Sequence, residues 1–435
     1  MTEQLRFFPL MAGQMDFWQE WRELRGRPVS TVAHAIRLDG AVNREALARA
    51  ITATLAETDV AALRFRVGAD GVPQQTVDPA RRPVLRRIDL SAEAEADAEA
   101  QAARLMQDDI AAPLDLLGPM SAHWLIQMPS GAAIWYLRGH HVFLDGYAMA
   151  LIEARCAAHY AAEVGGVAAG PGFAPLETLL DEDRTHRDST RNAADRAWWQ
   201  ARLRDARLPT LQRGHEDYAA EPLSAVLDLN ALSAPLTGMA AALRIGWPDL
   251  LTLLAGLFLQ GIEGRALTVW LPWMGRLGSI AARVPAMVVN ILPLTVDPAQ
   301  GATLGQALAA LSDELRQLRR HSRYRIEDLS RDLGLGEDRR FFFSPLINVM
   351  PFDPPLFPGC TVGSEVLAAG PGDGTNLTFA ASGRAEGLEV EISADPALTG
   401  AGDFARLRDA LPTFLTRATA EDAADRPLAG LMRGL

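Results

Sequence analysis

"RGHHVFLDGYAM", residues 138–149, decides how this chain is read. An apolar run, "AAIWYL" (132–137), enters it as the second strand of a hairpin whose turn is "PSG" (129–131). A helical segment, "DGYAMALIEARCAAHYAAEVGG" (145–166), leaves it, with Asp145 at the N-cap and Gly165–Gly166 past the end. His140 and His141 therefore stand in a strand-to-helix loop, at the positive end of a helix dipole. Neighbouring residues in extended chain point to opposite sides, so one histidine faces a reacting centre and the other packs behind it. An imidazole, with an ordinary pKa of about 6.5, takes and returns a proton near neutral pH. Gly146 has no side chain, so its backbone N–H can approach a developing oxyanion. Other readings stand beside this one. Asp145 serves equally as a plain helix cap, and His140 as a satisfied core histidine. A metal set would take His141, Asp145 and His159, but lacks the H-x-x-x-H or H-E-x-x-H spacing that places two ligands on one helix face. A G-x-S-x-G nucleophile elbow is absent from the sequence.

Outward from the loop the pattern is mixed α and β. "QMDFWQEWREL" (14–24) reads as an amphipathic helix and "STVAHAIRLDG" (30–40) as a strand. "VNREALARAITATLAET" (42–58) reads as a helix capped by Asn43, and "AEAEADAEAQAARLMQDDI" (92–110) as a polar helix. "VGGVAAGPGFAP" (164–175) is the clearest linker, and the lobe boundary is placed there, giving lobes 1–170 and 171–435. The second lobe repeats the alternation. Strands are expected at "LSAVLDL" (223–229), "ALTVWLPWMG" (266–275), "AMVVNILPLTV" (286–296), "FFFSPLINVMPFD" (341–353) and "LEVEISA" (388–394). Two helices fill 236–262, a long helical stretch covers 304–334, and "FARLRDALPTFLTRAT" (404–419) closes the chain as a helix.

Length and composition set limits. With 435 residues, 49% of them hydrophobic and 22% charged, the chain has a globular composition and more residues than one core usually serves. It contains no run of 18 apolar residues and no basic region followed by an apolar stretch at its start, so no membrane association and a cytoplasmic location are expected. The two cysteines, Cys156 and Cys360, make neither a disulfide framework nor a zinc ribbon. A net charge of −12 argues against nucleic-acid binding and is compatible with a cationic substrate. The sequence has no lysine, which excludes a Walker A loop, a kinase-type lysine and a Schiff-base lysine together.

"HHVFLDG" (140–146) resembles the H-H-x-x-x-D-G motif of the condensation-domain superfamily of nonribosomal peptide synthetases. "IGWPDLLTLLAGLFL", "VWLPWMGRLGSIAARVPAMVVNILPL", "SRYRIEDLSRDLGL", "FSPLINVMPFDPP" and "GDGTNLTF" are similar, in order, to segments of its free-standing amide synthases of the vibriobactin type. The resemblance runs from about residue 8 to the end of the chain. It implies an α/β (α+β) fold of two chloramphenicol-acetyltransferase-like lobes in a V-shaped pseudo-dimer with a central tunnel. It implies a stand-alone, monomeric enzyme that binds no cofactor of its own. An aryl acyl group, 2,3-dihydroxybenzoyl or similar, would arrive as the phosphopantetheine thioester of an aryl carrier protein. A free diamine or a polyamine of the norspermidine type would accept it, in catechol siderophore biosynthesis.

Position by position, His141 matches the family's catalytic histidine. Asp145 matches a structural aspartate that pairs with an arginine, at Arg276 here, and His140 is a packing residue. Gly146 would line the carbonyl site. Asn348 matches an asparagine facing the tunnel and is read either as a substrate contact or as a strand-edge amide that satisfies backbone. Asp373 stands where the vibriobactin-type enzyme also carries an acid, and is read either as a contact for a distal cation of the polyamine or as a solvated loop acid. Leu277 stands where the vibriobactin-type enzyme has an aromatic residue. Two rivals remain: an acyltransferase that draws on acyl-CoA, and a non-catalytic carrier-docking protein.

Overall fold

The computed structural model describes residues 5–203, 210–211, 222–334, 340–341, 343–370 and 374–434. They form two compact units. The first comprises Met1–Ser189, Met274–Val289 and Pro354–Pro371, and the second comprises Thr190–Trp273, Asn290–Asp353 and Gly372–Leu435. The boundary expected at 170/171 thus falls inside the first unit, which also takes two later stretches of chain.

The first unit is built on a five-stranded sheet, in the order Cys360–Ala369, Thr31–Gly40, Ala133–His140, Ala122–Gln127, Arg86–Asp89. All its pairings are antiparallel except the last. The central strand Ala133–His140 is buried along its whole length, which is why it reads as a continuous apolar run. Its alternate residues supply two cores. Trp135 and Leu137 join Ile36, Leu38 and Leu125 on one face, under the helices Arg44–Glu57 and Gly146–Gly165. Ile134 and Tyr136 join Trp124 and Ile126 on the other, under the helix Glu95–Ala111. That polar helix buries Ala98, Ala102 and Met106, a strict four-residue spacing that gives one narrow apolar stripe. The Asn43 side chain accepts from the Ala46 N–H at 3.0 Å and so caps the helix Arg44–Glu57.

The second unit carries a six-stranded sheet, in the order Asn290–Val296, Leu267–Trp273, Leu346–Pro351, Thr375–Ala381, Glu389–Ala394, Leu223–Asp228. Leu346–Pro351 is parallel to both of its neighbours. The nearly all-apolar helix Trp247–Glu263 packs in its core, with Leu250, Leu253, Leu254, Leu257 and Phe258 fully buried. Among the described residues, no single helix is long and apolar enough to cross a membrane.

Two expectations are corrected, and one strand is new. The strand foreseen over 286–296 begins only at Asn290, because the backbone N–H groups of Val288 and Val289 turn to the Asp145 carboxylate instead of a ladder. The helical stretch 304–334 breaks into Leu304–Arg320 and Ile326–Asp332. At that break the Asn290 amide donates to the Ser322 and Tyr324 carbonyls. The strand Cys360–Ala369 was not foreseen: its side chains are mostly exposed or half-buried, so it shows no apolar alternation.

Candidate active site

The loop after the central strand folds back on itself. Phe143 and Leu144 donate their backbone N–H groups to the His140 carbonyl, at 3.1 and 3.3 Å. Both side chains then cover Gly139. A Cβ at that position would lie 2.7 Å from Leu144 Cδ1 and 2.9 Å from Phe143 Cζ, so the glycine before the two histidines is required by packing. The Asp145 Oδ1 accepts from the Ala148 N–H at 2.8 Å, and the helix Gly146–Gly165 starts there.

His140 is 2% exposed. Its Nδ1 accepts from the Val142 N–H at 3.0 Å, so that nitrogen carries no proton. Burial, helped by His141 and Arg138, pushes its pKa down to about 3. It is a neutral packing group.

His141 is half-buried. Its backbone N–H donates to the Ser30 carbonyl at 2.8 Å. Its Nδ1 lies 2.8 Å from the Leu144 carbonyl, the nearer of the two carbonyls that its ring nitrogens face, so Nδ1 carries the proton of the neutral ring. Nε2 is left as the basic nitrogen, 3.3 Å from the Ala369 carbonyl. The Phe17 ring stacks on the imidazole, with centroids 5.3 Å apart and planes 7° from parallel. Burial lowers the pKa of His141, and the charge of Asp145 and the carbonyls of Leu144 and Ala369 oppose that shift.

Asp145 is fully occupied elsewhere. Its Oδ1 takes a second hydrogen bond, from Arg276 Nη2 at 2.6 Å, and its Oδ2 accepts from the N–H groups of Val288 and Val289 at 2.9 and 3.1 Å. Arg276, 2% exposed, donates also to the carbonyls of Ala281, Val284 and Ala286, and its guanidinium lies 4.6 Å from the centre of the Tyr147 ring. One buried ion pair thereby shapes the whole 274–289 segment and anchors it to the start of the helix. Asp145 is a brace, with no lone pair turned to a substrate.

Gly146 is exposed and opens the helix, so its N–H has no acceptor within it. The first unit thus brings together His140, His141, Asp145, Gly146 and Arg276. Asn348 belongs to the second unit, half-buried on the strand Leu346–Pro351 opposite Thr378. Asp373 lies outside the described residues. His159 turns to Glu57, with Nε2 3.1 Å from Oε1, and among the described residues no group of three or more metal-binding side chains is assembled. Leu277 is exposed. Sequence reasoning passed over Phe17, Gly139, Ala369 and Gly370. Gly139 had a local signal, a glycine where a strand meets a reversal; the contacts of the others arise only on folding.

Residues 6–354 match the family model for the condensation domain. The chain is 34% identical over 429 residues to the isonitrile lipopeptide synthase of Streptomyces coeruleorubidus, covering 97% of this chain and 29% of that one. It is 30% identical over 402 residues to the enterobactin synthase component F of Escherichia coli O157:H7, covering 89% of this chain and 30% of that one. Among solved structures it is similar to VibH, an NRPS condensation enzyme, with a TM-score of 0.88 and 34% identity over 97% of this chain and 99% of that one. The chain thus spans under a third of the length of these two curated relatives and nearly the full length of the solved one.

Proposed function

The chain belongs to the condensation-domain family, and from that premise we propose that it forms an amide by moving an aryl acyl group from a carrier-bound thioester to a free amine. The acyl group is 2,3-dihydroxybenzoyl or a close relative, held on the phosphopantetheine of an aryl carrier protein. The acceptor is a free polyamine or diamine, and the setting is cytoplasmic catechol siderophore biosynthesis by a monomer that needs no cofactor of its own. The observation that carries the reading is the protonation of His141: Nδ1–H is tied to the Leu144 carbonyl, so Nε2 holds a lone pair. Its lowered pKa keeps that lone pair available at neutral pH.

A polyamine nitrogen first loses a proton to solvent. It then attacks the thioester carbonyl carbon, the N–C bond forms and the C–S bond breaks. The proton released by nitrogen passes to His141 Nε2 and from there to the departing sulfur, which leaves as the thiol. Gly146, at the positive end of its helix, leaves room for the oxyanion. The family resemblance assigns Asn348 to substrate binding and Asp373 to a distal cation; Asp373 lies outside the described residues. The net charge of −12 favours approach of a polycation.

The test loads an aryl carrier protein with dihydroxybenzoate, adds the purified protein and a panel of diamines and polyamines, and follows amide by mass spectrometry. Amide with a polyamine is expected. Absence of amide with every amine overturns the reading, and equal turnover of the aryl-CoA favours the acyl-CoA-dependent rival.

A further inference from the structure

The Cδ2–Nε2 edge of His141 lies against backbone from the far end of the sequence. Gly370, at φ +87°, donates its N–H to the Thr31 carbonyl at 2.9 Å, one strand position from the Ser30 carbonyl that holds the His141 N–H. A Cβ on Gly370 would sit 3.0 Å from His141 Nε2 and closer still to Cδ2. Any residue but glycine would therefore push the ring and the backbone apart. That approach sets the Ala369 carbonyl 3.3 Å from Nε2.

Both ring nitrogens of His141 then face carbonyl oxygens. Neutral imidazole can satisfy only one of them, because it has one N–H. The imidazolium satisfies both. The slot is thus more complementary to the protonated ring, which exists only after the proton has been captured.

We infer that the Ala369–Gly370 backbone is a positioning element for proton capture: the Ala369 carbonyl receives the Nε2–H of the His141 imidazolium, and Gly370 is the residue that lets it come close. The inference rests on the amide-forming reading for its kinetic consequence, though not for the contact itself. The other groups around the ring are compatible with it. The helix Ala12–Glu23 presents the uncharged Phe17 ring, His140 is neutral, and the charge that bears on the ring is that of Asp145, itself paired with Arg276.

Two matched variants test it. Gly359, at φ +78°, stands at the opposite end of the same strand, and a Cβ there meets only Ala41, at 3.9 Å. Gly359→Ala and Gly370→Ala therefore share the backbone penalty of an L-residue in the left-handed region. Only the second disturbs His141. Gly370→Ala is expected to lower kcat about a hundredfold with little change in the amine KM, while Gly359→Ala stays within about twofold. The ¹⁵N NMR titration of His141 gives a readout free of turnover. Its midpoint should fall in Gly370→Ala and stay at the native value in Gly359→Ala. Gly370→Asn, with a smaller backbone penalty, repeats the measurement should the alanine variant fail to fold. Equal rates and equal midpoints in the position-359 and position-370 variants would overturn the inference. If the native protein makes no amide, the amide-forming reading fails, and the NMR midpoints alone decide the contact.

Discussion

Arg276 Nη2 and Asp145 Oδ1, 131 residues apart in sequence, meet at 2.6 Å in the interior of the first unit. The pair is 2% and 5% exposed, and besides the Ala148 N–H its remaining bonds go to backbone at five positions in the 274–289 segment: the carbonyls of Ala281, Val284 and Ala286 and the N–H groups of Val288 and Val289. The motif aspartate is thereby spent on holding a loop.

Removing one partner should be severe. Arg276→Ala leaves a carboxylate buried without its cation and is expected to cost about 3–5 kcal/mol. Lysine, a point charge with three donors, cannot reproduce the planar fork that reaches three carbonyls and a carboxylate, so Arg276→Lys should recover little of this. Chemical denaturation of both variants checks it; a loss under about 1 kcal/mol for Arg276→Ala would show the pair to be dispensable.

The two histidines should separate cleanly into rate and stability. His141→Gln is expected to lower amide formation by about 10²–10⁴-fold with an unchanged melting temperature. His140→Leu strands the buried Val142 N–H and should cost about 1–3 kcal/mol of stability. Paired melting curves and rate measurements on the same preparations decide; a wild-type rate in His141→Gln removes the base.

Acid should weaken the fold earlier than carboxylate titration alone would. His123 and His140 are held neutral by burial, at about 4 and about 3. Their unfolded value is about 6.5. Between these limits the unfolded chain binds more protons, so stability is fully present above about pH 6.5 and drains away as pH falls, by up to about 1.4 kcal/mol per pH unit for each histidine. Melting temperature against pH, measured from pH 7 to pH 5, should be flatter in His123→Leu than in the native protein; parallel curves would contradict the assignment.

Two glycines near the motif should behave oppositely. Gly139→Ala drives a methyl group into Leu144 and Phe143 and is expected to cost about 1–3 kcal/mol. Gly146→Ala adds a methyl group on an exposed first turn and should leave the melting temperature unchanged. It should slow amide formation about tenfold by crowding the carbonyl. Circular dichroism melts with initial rates distinguish the two.

The local pattern carried much of this unit. The apolar run "AIWYL", the cap at Asn43, the cap at Asp145 and the glycines at the end of the helix Gly146–Gly165 are statements about residues within a few positions of one another, and the elements form there, although the strand runs on to His140, which was read as loop and pairs with Thr31, and Gly165, read as past the helix, is its last residue. What went unread has a common cause. The strand Cys360–Ala369 forms because Thr31–Gly40 offers it a free edge, and its mostly exposed side chains leave no period to find. The segment 274–289 is irregular, and its place is set by Arg276 reaching the Asp145 carboxylate.

The amino-acid sequence by itself determined the motif, its strand-to-helix setting and the family resemblance, because hydrophobic period, capping and spacing are local properties of the chain. Only the tertiary structure decided which histidine nitrogen is basic, what braces Asp145, and that Phe17 and the Ala369–Gly370 backbone enclose His141. The brace and the enclosure depend on contacts between residues from 124 to 229 positions apart, whose meeting is set by sheet pairing and core packing, and the tautomer depends on the loop folding back to set Leu144 against His141.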